Sequence, residues 1–128
     1  MEVKEVDRLL SLLEVYKSQC KYYALYKLSD ILVNGNINTV YLSFAGEEEG
    51  LSFYHAFVVT EDKAVVSVSV DLAFVIGLGI DRGKFYPCVD SSASNHAEAL
   101  KSSLIRVVEE YFPDYVDYFK GMSFIVLE

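Results

Sequence analysis

The chain has no tryptophan, only two cysteines, and 11 lysines and arginines against 19 aspartates and glutamates, a net charge of −8. The shortage of cations argues against nucleic acid as a partner. Neutralising phosphates takes clustered Lys and Arg, and no basic stripe is present. A long hydrophobic run is also missing. The longest, from Leu72 to Ile80, has nine residues, against the roughly 20 that a membrane-spanning helix needs. The first eight residues are too charged for the apolar region of a signal peptide. Two cysteines read as free thiols, not as a disulfide framework. These absences together predict a cytoplasmic protein with neither nucleic-acid nor membrane partners.

What is present supports a packed core. At 128 residues the chain is expected to form a single domain, 1–128, and its 52% hydrophobic content rules out wholesale disorder. Ten tyrosines and eight phenylalanines supply large side chains that fill a core or line an interface. Tyr22, Tyr23 and Tyr26 cover one helix face and read as core or interface. The one acidic cluster, Glu47-Glu48-Glu49, sits between Gly46 and Gly50, as a solvated hairpin tip would.

Residues 2–17 carry Val3, Val6, Leu9, Leu10, Leu13 and Tyr16 at the spacing of an amphipathic helix. Two continuations are open. Ser18 caps a second helix, with Cys20 in its first turn, or one helix runs on to Val33 with Cys20 inside it. The segment Asn34-Gly35-Asn36-Ile37-Asn38 breaks the helix, with Gly35 as a left-handed C-cap. Strands are predicted over residues 39–44, 51–60 and 64–71, with a turn over 45–50. In the third strand Val and Ser alternate as on a half-buried antiparallel strand. Asp81-Arg82-Gly83 turns into a fourth strand over 84–89. A serine or Asn95 caps a long helix from His96 to Tyr111, Pro113 stops it, one or two further turns follow over 114–120, and residues 122–127 form a final strand. The order predicts an α+β domain: N-terminal helices packed on an antiparallel β-meander, with a long C-terminal helix and a final strand.

Three residues carry candidate chemistry. A thiol reacts as its thiolate, which a helix N-terminus or a nearby imidazole stabilises. Cys20 lies two residues past Ser18, His55 lies in the second predicted strand, and Asp71 closes the third. A hairpin path would return Asp71 beside His55 on the adjacent strand. The segment Ser18-Gln19-Cys20-Lys21-Tyr22-Tyr23-Ala24, with His55-Ala56-Phe57-Val58-Val59 and then Asp71, resembles the transglutaminase-like and papain-like cysteine peptidase superfamily. The resemblance covers roughly residues 18–72. It departs at Glu14, where papain-like enzymes keep an oxyanion donor, and at Asp71, which no proline follows.

The resemblance implies a small cysteine hydrolase or acyltransferase-like domain acting on an amide or peptide-type bond of a peptide or protein substrate. Cys20 would attack the acyl carbon, His55 take its proton, and Asp71 orient the imidazole. The Cys20 N–H and the Gln19 amide would bind the oxyanion. No cofactor and no metal is expected. Cys20, Cys88, His55 and His96 are enough ligands for zinc but lack its close pairs. Cys88 with His96 is a second, less favoured pairing. Gly77 and Gly79 could hinge a loop over the site. The alternative is a non-catalytic interaction protein, whose acidic, Tyr-rich surface occupies a protein partner's site as small viral or accessory inhibitors do.

Overall fold

The computed structural model describes residues 3–76 and 85–128, with side chains along the first helix described at Arg8 and from Gln19 onward. The apolar stripe expected over residues 3–16, the glycines 77 and 79, the turn at 81–83 and the start of a strand at Lys84 lie outside the described residues or side chains.

A single helix, α1 (Val3–Asn34), runs through Ser18 without interruption. Of the two readings, the continuous helix is the one observed. Its end is built by three consecutive residues. The Asn36 N–H donates to Val33 O at 3.1 Å and the Ile37 N–H to Leu32 O at 2.8 Å, the paired bonds of a Schellman motif. The left-handed residue is Asn36, at φ 53°, and not Gly35 as expected. Gly35 is needed for space instead, because a Cβ there would stand 2.5 Å from Ile31 O. Ile37 and Leu32 are both buried in the core, completing the hydrophobic contact of the motif.

Strands β1 (Thr39–Glu48) and β2 (Leu51–Val59) form a long antiparallel hairpin. The expected turn over 45–50 shrinks to Glu49-Gly50. Both have positive φ, 52° and 80°, matching the twist of a tight two-residue hairpin. Ala45 is accommodated by a β-bulge between Phe44 and Gly46. Strand β3 is short (Val65–Ser67) and pairs antiparallel with β2. Helix α2 (Ser69–Ile76) follows at once, so the expected third strand ends four residues early and Asp71 is helical.

The physical reason is a side chain. The Ser69 hydroxyl accepts from the Ala56 N–H at 2.8 Å and donates to Ala56 O at 3.1 Å, taking the ladder position a strand residue would have filled. The backbone after Ser67 is thus free to turn into a helix.

Strand β4 (Cys88–Asp90) pairs with the other end of β2. Helix α3 (His96–Tyr111) begins at Asn95, whose side chain accepts from the Glu98 N–H at 3.1 Å. A 3-10 turn (Pro113–Tyr115) and helix α4 (Val116–Lys120) lead to β5 (Ser123–Leu127). The meander β1-β2-β3 is antiparallel as expected, and β5 adds to β1 in parallel, so the sheet is mixed, of order β3-β2-β1-β5, with β4 also on β2. The class is α+β. Leu25, Leu28 and Leu32 of α1, Leu72 and Val75 of α2, and Leu100, Leu104 and Val108 of α3 pack with Val40, Leu42, Tyr54, Ala56 and Val58 of the sheet. Among the described residues no helix is long and apolar enough to cross a membrane.

Candidate functional site

The expected relay is divided, with His55 on one side of the sheet and Cys20 and Asp71 in the helical layer on the other. Tyr54, Ala56 and Val58 of β2 belong to the core beneath the helices, so alternation turns His55 to the opposite face of the sheet. There it is exposed, and its ring lies on Tyr86 at 4.4 Å between centroids. Asp71 is in the first turn of α2, half-buried within the helical layer. Burial pushes its carboxyl up, and the Lys27 ammonium on α1 pulls it partly back.

Cys20 is a half-buried free thiol inside α1. It shares a helix flank with Ala24, Lys27 and Ile31, and the helical rise sets it about 10 Å along the axis from Lys27. Among the described residues no hydrogen bond joins Cys20, His55 and Asp71. The sheet separates the imidazole from the helical layer that carries the thiol and the carboxyl. Nor can the Cys20 N–H serve an oxyanion, because inside a helix it is committed to the carbonyl four residues back. Gln19 is exposed on the same uninterrupted helix.

His96 belongs to another constellation, which the sequence reading missed. Its Nδ1 lies 2.6 Å from the Tyr54 hydroxyl and its Nε2 lies 3.2 Å from Ser91 O. A carbonyl only accepts, so Nε2 carries the proton and Nδ1 receives the phenolic hydrogen of Tyr54. Burial pushes that phenol up, in keeping with a proton that stays on oxygen. Ser52 and Ser91 meet through their hydroxyls at 2.8 Å. These bonds tie β2 to the start of α3 and satisfy polar groups at the core edge, a structural role. His96 is therefore paired with Tyr54 and Ser91 O instead of Cys88. Among the described residues no group of three or more His, Cys, Asp or Glu could hold a metal ion.

A concave feature lies elsewhere, where α1 runs beside the end of α3 and the 3-10 turn. A groove of about 430 Å³ opens there, walled by Tyr22, Tyr26 and Val33 of α1 and by Tyr111, Phe112 and Tyr115 opposite. Tyr22 meets Tyr111 edge-to-face at 6.2 Å and Phe112 at 5.2 Å, and Phe112 meets Tyr115 at 5.8 Å. Tyr22, Tyr26 and Tyr115 remain 49%, 58% and 41% exposed. Two carboxylates line the groove from opposite walls, Asp30 on α1 and Asp114 in the 3-10 turn. Asp30 accepts a hydrogen bond from Asn34, one turn on.

Ser29 also lines the groove, 4% exposed, and its buried hydroxyl has no partner among the described residues. The sequence held a partial signal for this groove. Tyr22 and Tyr26 are spaced four apart, the interval that shares a helix face, and aromatics flank Pro113 closely in Tyr111-Phe112-Pro113-Asp114-Tyr115. Nothing in the pattern said that these two segments would meet. Comparison with known proteins finds no matching family model, no matching curated protein and no matching solved structure.

Proposed function

We propose that this chain is a non-catalytic, acidic interaction protein of the cytoplasm that docks a segment of a protein partner in the groove between α1 and the end of α3. One observation carries the reading: three tyrosines with large apolar area stand exposed around a concavity, on elements whose other faces already fill the core. Tyrosine suits such a site because it contributes contact area at low conformational cost and keeps a polar tip. The groove falls within the roughly 300–1,000 Å³ typical of ligand sites. The net charge of −8 adds long-range attraction for a basic partner, an effect that salt screens. Two cysteines outside any disulfide suit a reducing compartment.

The test is selection of random displayed peptides against the full chain. Enriched peptides should form stoichiometric complexes that survive Cys20→Ala, and each should weaken about tenfold or more on Tyr26→Ala or Tyr115→Ala, the scale of an aromatic hot spot. Both tyrosines are exposed, so the variants should keep the wild-type fold, which circular dichroism checks. Peptides that bind the tyrosine variants as well as wild type, or that are cleaved in a Cys20-dependent way, would overturn the reading. So would a selection that enriches nothing.

A further inference from the structure

The groove's chemistry narrows what the docked segment must offer. Among its described lining residues are five aromatic rings and two carboxylates, and no lysine or arginine. The edge-to-face contacts of Tyr22 with Tyr111 and Phe112 use the edge of one ring and a face of the other, and Tyr22, Tyr26 and Tyr115 keep about half their surface exposed. A ring face carries negative potential and attracts a cation placed over it. Asp30 and Asp114 stand on opposite walls, so a positive group between them would interact with both. The phenolic oxygens of Tyr22, Tyr26, Tyr111 and Tyr115 make no hydrogen bond among the described residues. They can therefore accept from a donor that enters. The unpartnered Ser29 hydroxyl sits among these lining residues.

We infer that the groove recognises an arginine side chain of the docked segment, its guanidinium stacked on the tyrosine faces and shared between Asp30 and Asp114. Of the two side-chain cations that are always or nearly always charged at neutral pH, arginine fits better. Its guanidinium is planar, weakly hydrated and able to lie flat on a ring while its five N–H donors reach acceptors in the ring plane. The lysine ammonium is compact and strongly hydrated, and loses more water on entering an aromatic slot. Charge complementarity extends beyond the groove, since a chain of net charge −8 favours the approach of any basic segment. The inference rests on the docking reading above and specifies the anchor within it.

The experiment is a titration of the 15N-labelled full chain, followed by backbone amide shifts, with arginine blocked at both ends as Nα-acetyl-arginine N-methylamide. Three probes run beside it: blocked citrulline, which has the same shape without the charge, blocked lysine, and tetramethylammonium. Shifts are expected at residues 22, 26, 111, 112, 114 and 115. Binding should be about tenfold or more weaker for citrulline, weaker for lysine and tetramethylammonium, and about tenfold weaker in the variant Asp30→Asn/Asp114→Asn, the scale of one lost charge contact. Raised salt should weaken it further.

Citrulline, lysine or tetramethylammonium matching arginine would overturn the inference, as would shifts confined to another surface or none at all. The two readings fail separately. Displayed peptides that dock in the groove without arginine, beside a blocked arginine that shifts nothing, would end the arginine assignment and leave docking standing. Blocked arginine that binds there while no peptide is selected would do the reverse.

Discussion

Replacing Ser69 with alanine tests why the third strand stops where it does. In the native chain the Ser69 hydroxyl accepts from the Ala56 N–H at 2.8 Å and donates to Ala56 O at 3.1 Å. Ala56 is 0% exposed, so water cannot replace the lost acceptor. The carbonyl keeps a second bond, from the Val68 N–H at 2.9 Å, whereas the amide is left bare. An unsatisfied buried donor costs about 1–3 kcal/mol, and alanine's better helix propensity at this helix start returns at most a few tenths. Ser69→Ala should therefore destabilise by about 2 kcal/mol, or lower the urea midpoint by about 1 M at a slope near 2 kcal/mol/M. The control is Ser67→Ala. Its hydroxyl makes only 3.4 Å contacts, from Ser69 N and to Ser69 Oγ, and its loss should cost under about 0.5 kcal/mol. Equal midpoints for wild type and Ser69→Ala, or a larger loss at Ser67, would refute the idea that one hydroxyl stands in for the ladder.

Three further outcomes follow from geometry. Gly35→Ala should cost about 1–3 kcal/mol in thermal or urea unfolding, because its Cβ meets Ile31 O at 2.5 Å, whereas Asn36→Gly, at φ 53°, should be nearly neutral. The folded carboxyl of Asp71 is raised by burial, with Lys27 opposing. The folded state therefore holds this proton more tightly, and the stability it contributes is full below the unfolded value of about 3.9 and is lost as pH rises through the folded value. Unfolding series from pH 3 to 7 should accordingly show Asp71→Asn gaining on wild type as pH rises, and a trend in the other direction would sink the assignment. Finally, His55→Ala should leave the iodoacetamide labelling rate of Cys20 unchanged, since the ring lies on the opposite sheet face, while Cys88, buried in β4, should label only when the chain opens. A large drop in Cys20 labelling on His55→Ala would mean the thiol and imidazole do communicate.

The C-terminal end of α1 and both ends of α3 were the most legible part of the sequence because their signals are local. Asn95 caps α3 and Phe112-Pro113 closes it, and the asparagines and glycine at 34–38 end α1, all within a few residues of the boundary they set. Strand β3 was misread for a physical reason. Alternation of Val and Ser satisfies a strand, but a serine hydroxyl can also replace a backbone partner, so Val65-Val66-Ser67-Val68-Ser69 suits a strand that ends in a helix equally well. The parallel pairing of β5 with β1 left no mark in either strand, since it depends on where α3 and α4 deliver the chain.

The fate of the three candidate catalytic residues turns on the same distinction between local and long-range information. On β2 the inward positions Tyr54, Ala56 and Val58 are no more apolar than the outward Phe53, Phe57 and Val59, so hydrophobicity could not tell which face His55 would take. Once α2 replaces the expected strand end, Asp71 joins the helical layer with Cys20, and His55 meets Tyr86 on the other side. The groove had the opposite history. Its two walls are 77 or more residues apart in the chain, counting from Asn34 to Tyr111, and each wall alone reads as an ordinary aromatic patch. What makes them a site is the core packing of α1. Leu25, Leu28 and Leu32 bury one face of the helix, which fixes Tyr22 and Tyr26 on the flank beside the end of α3, with Asp30 on the same wall and Asp114 opposite.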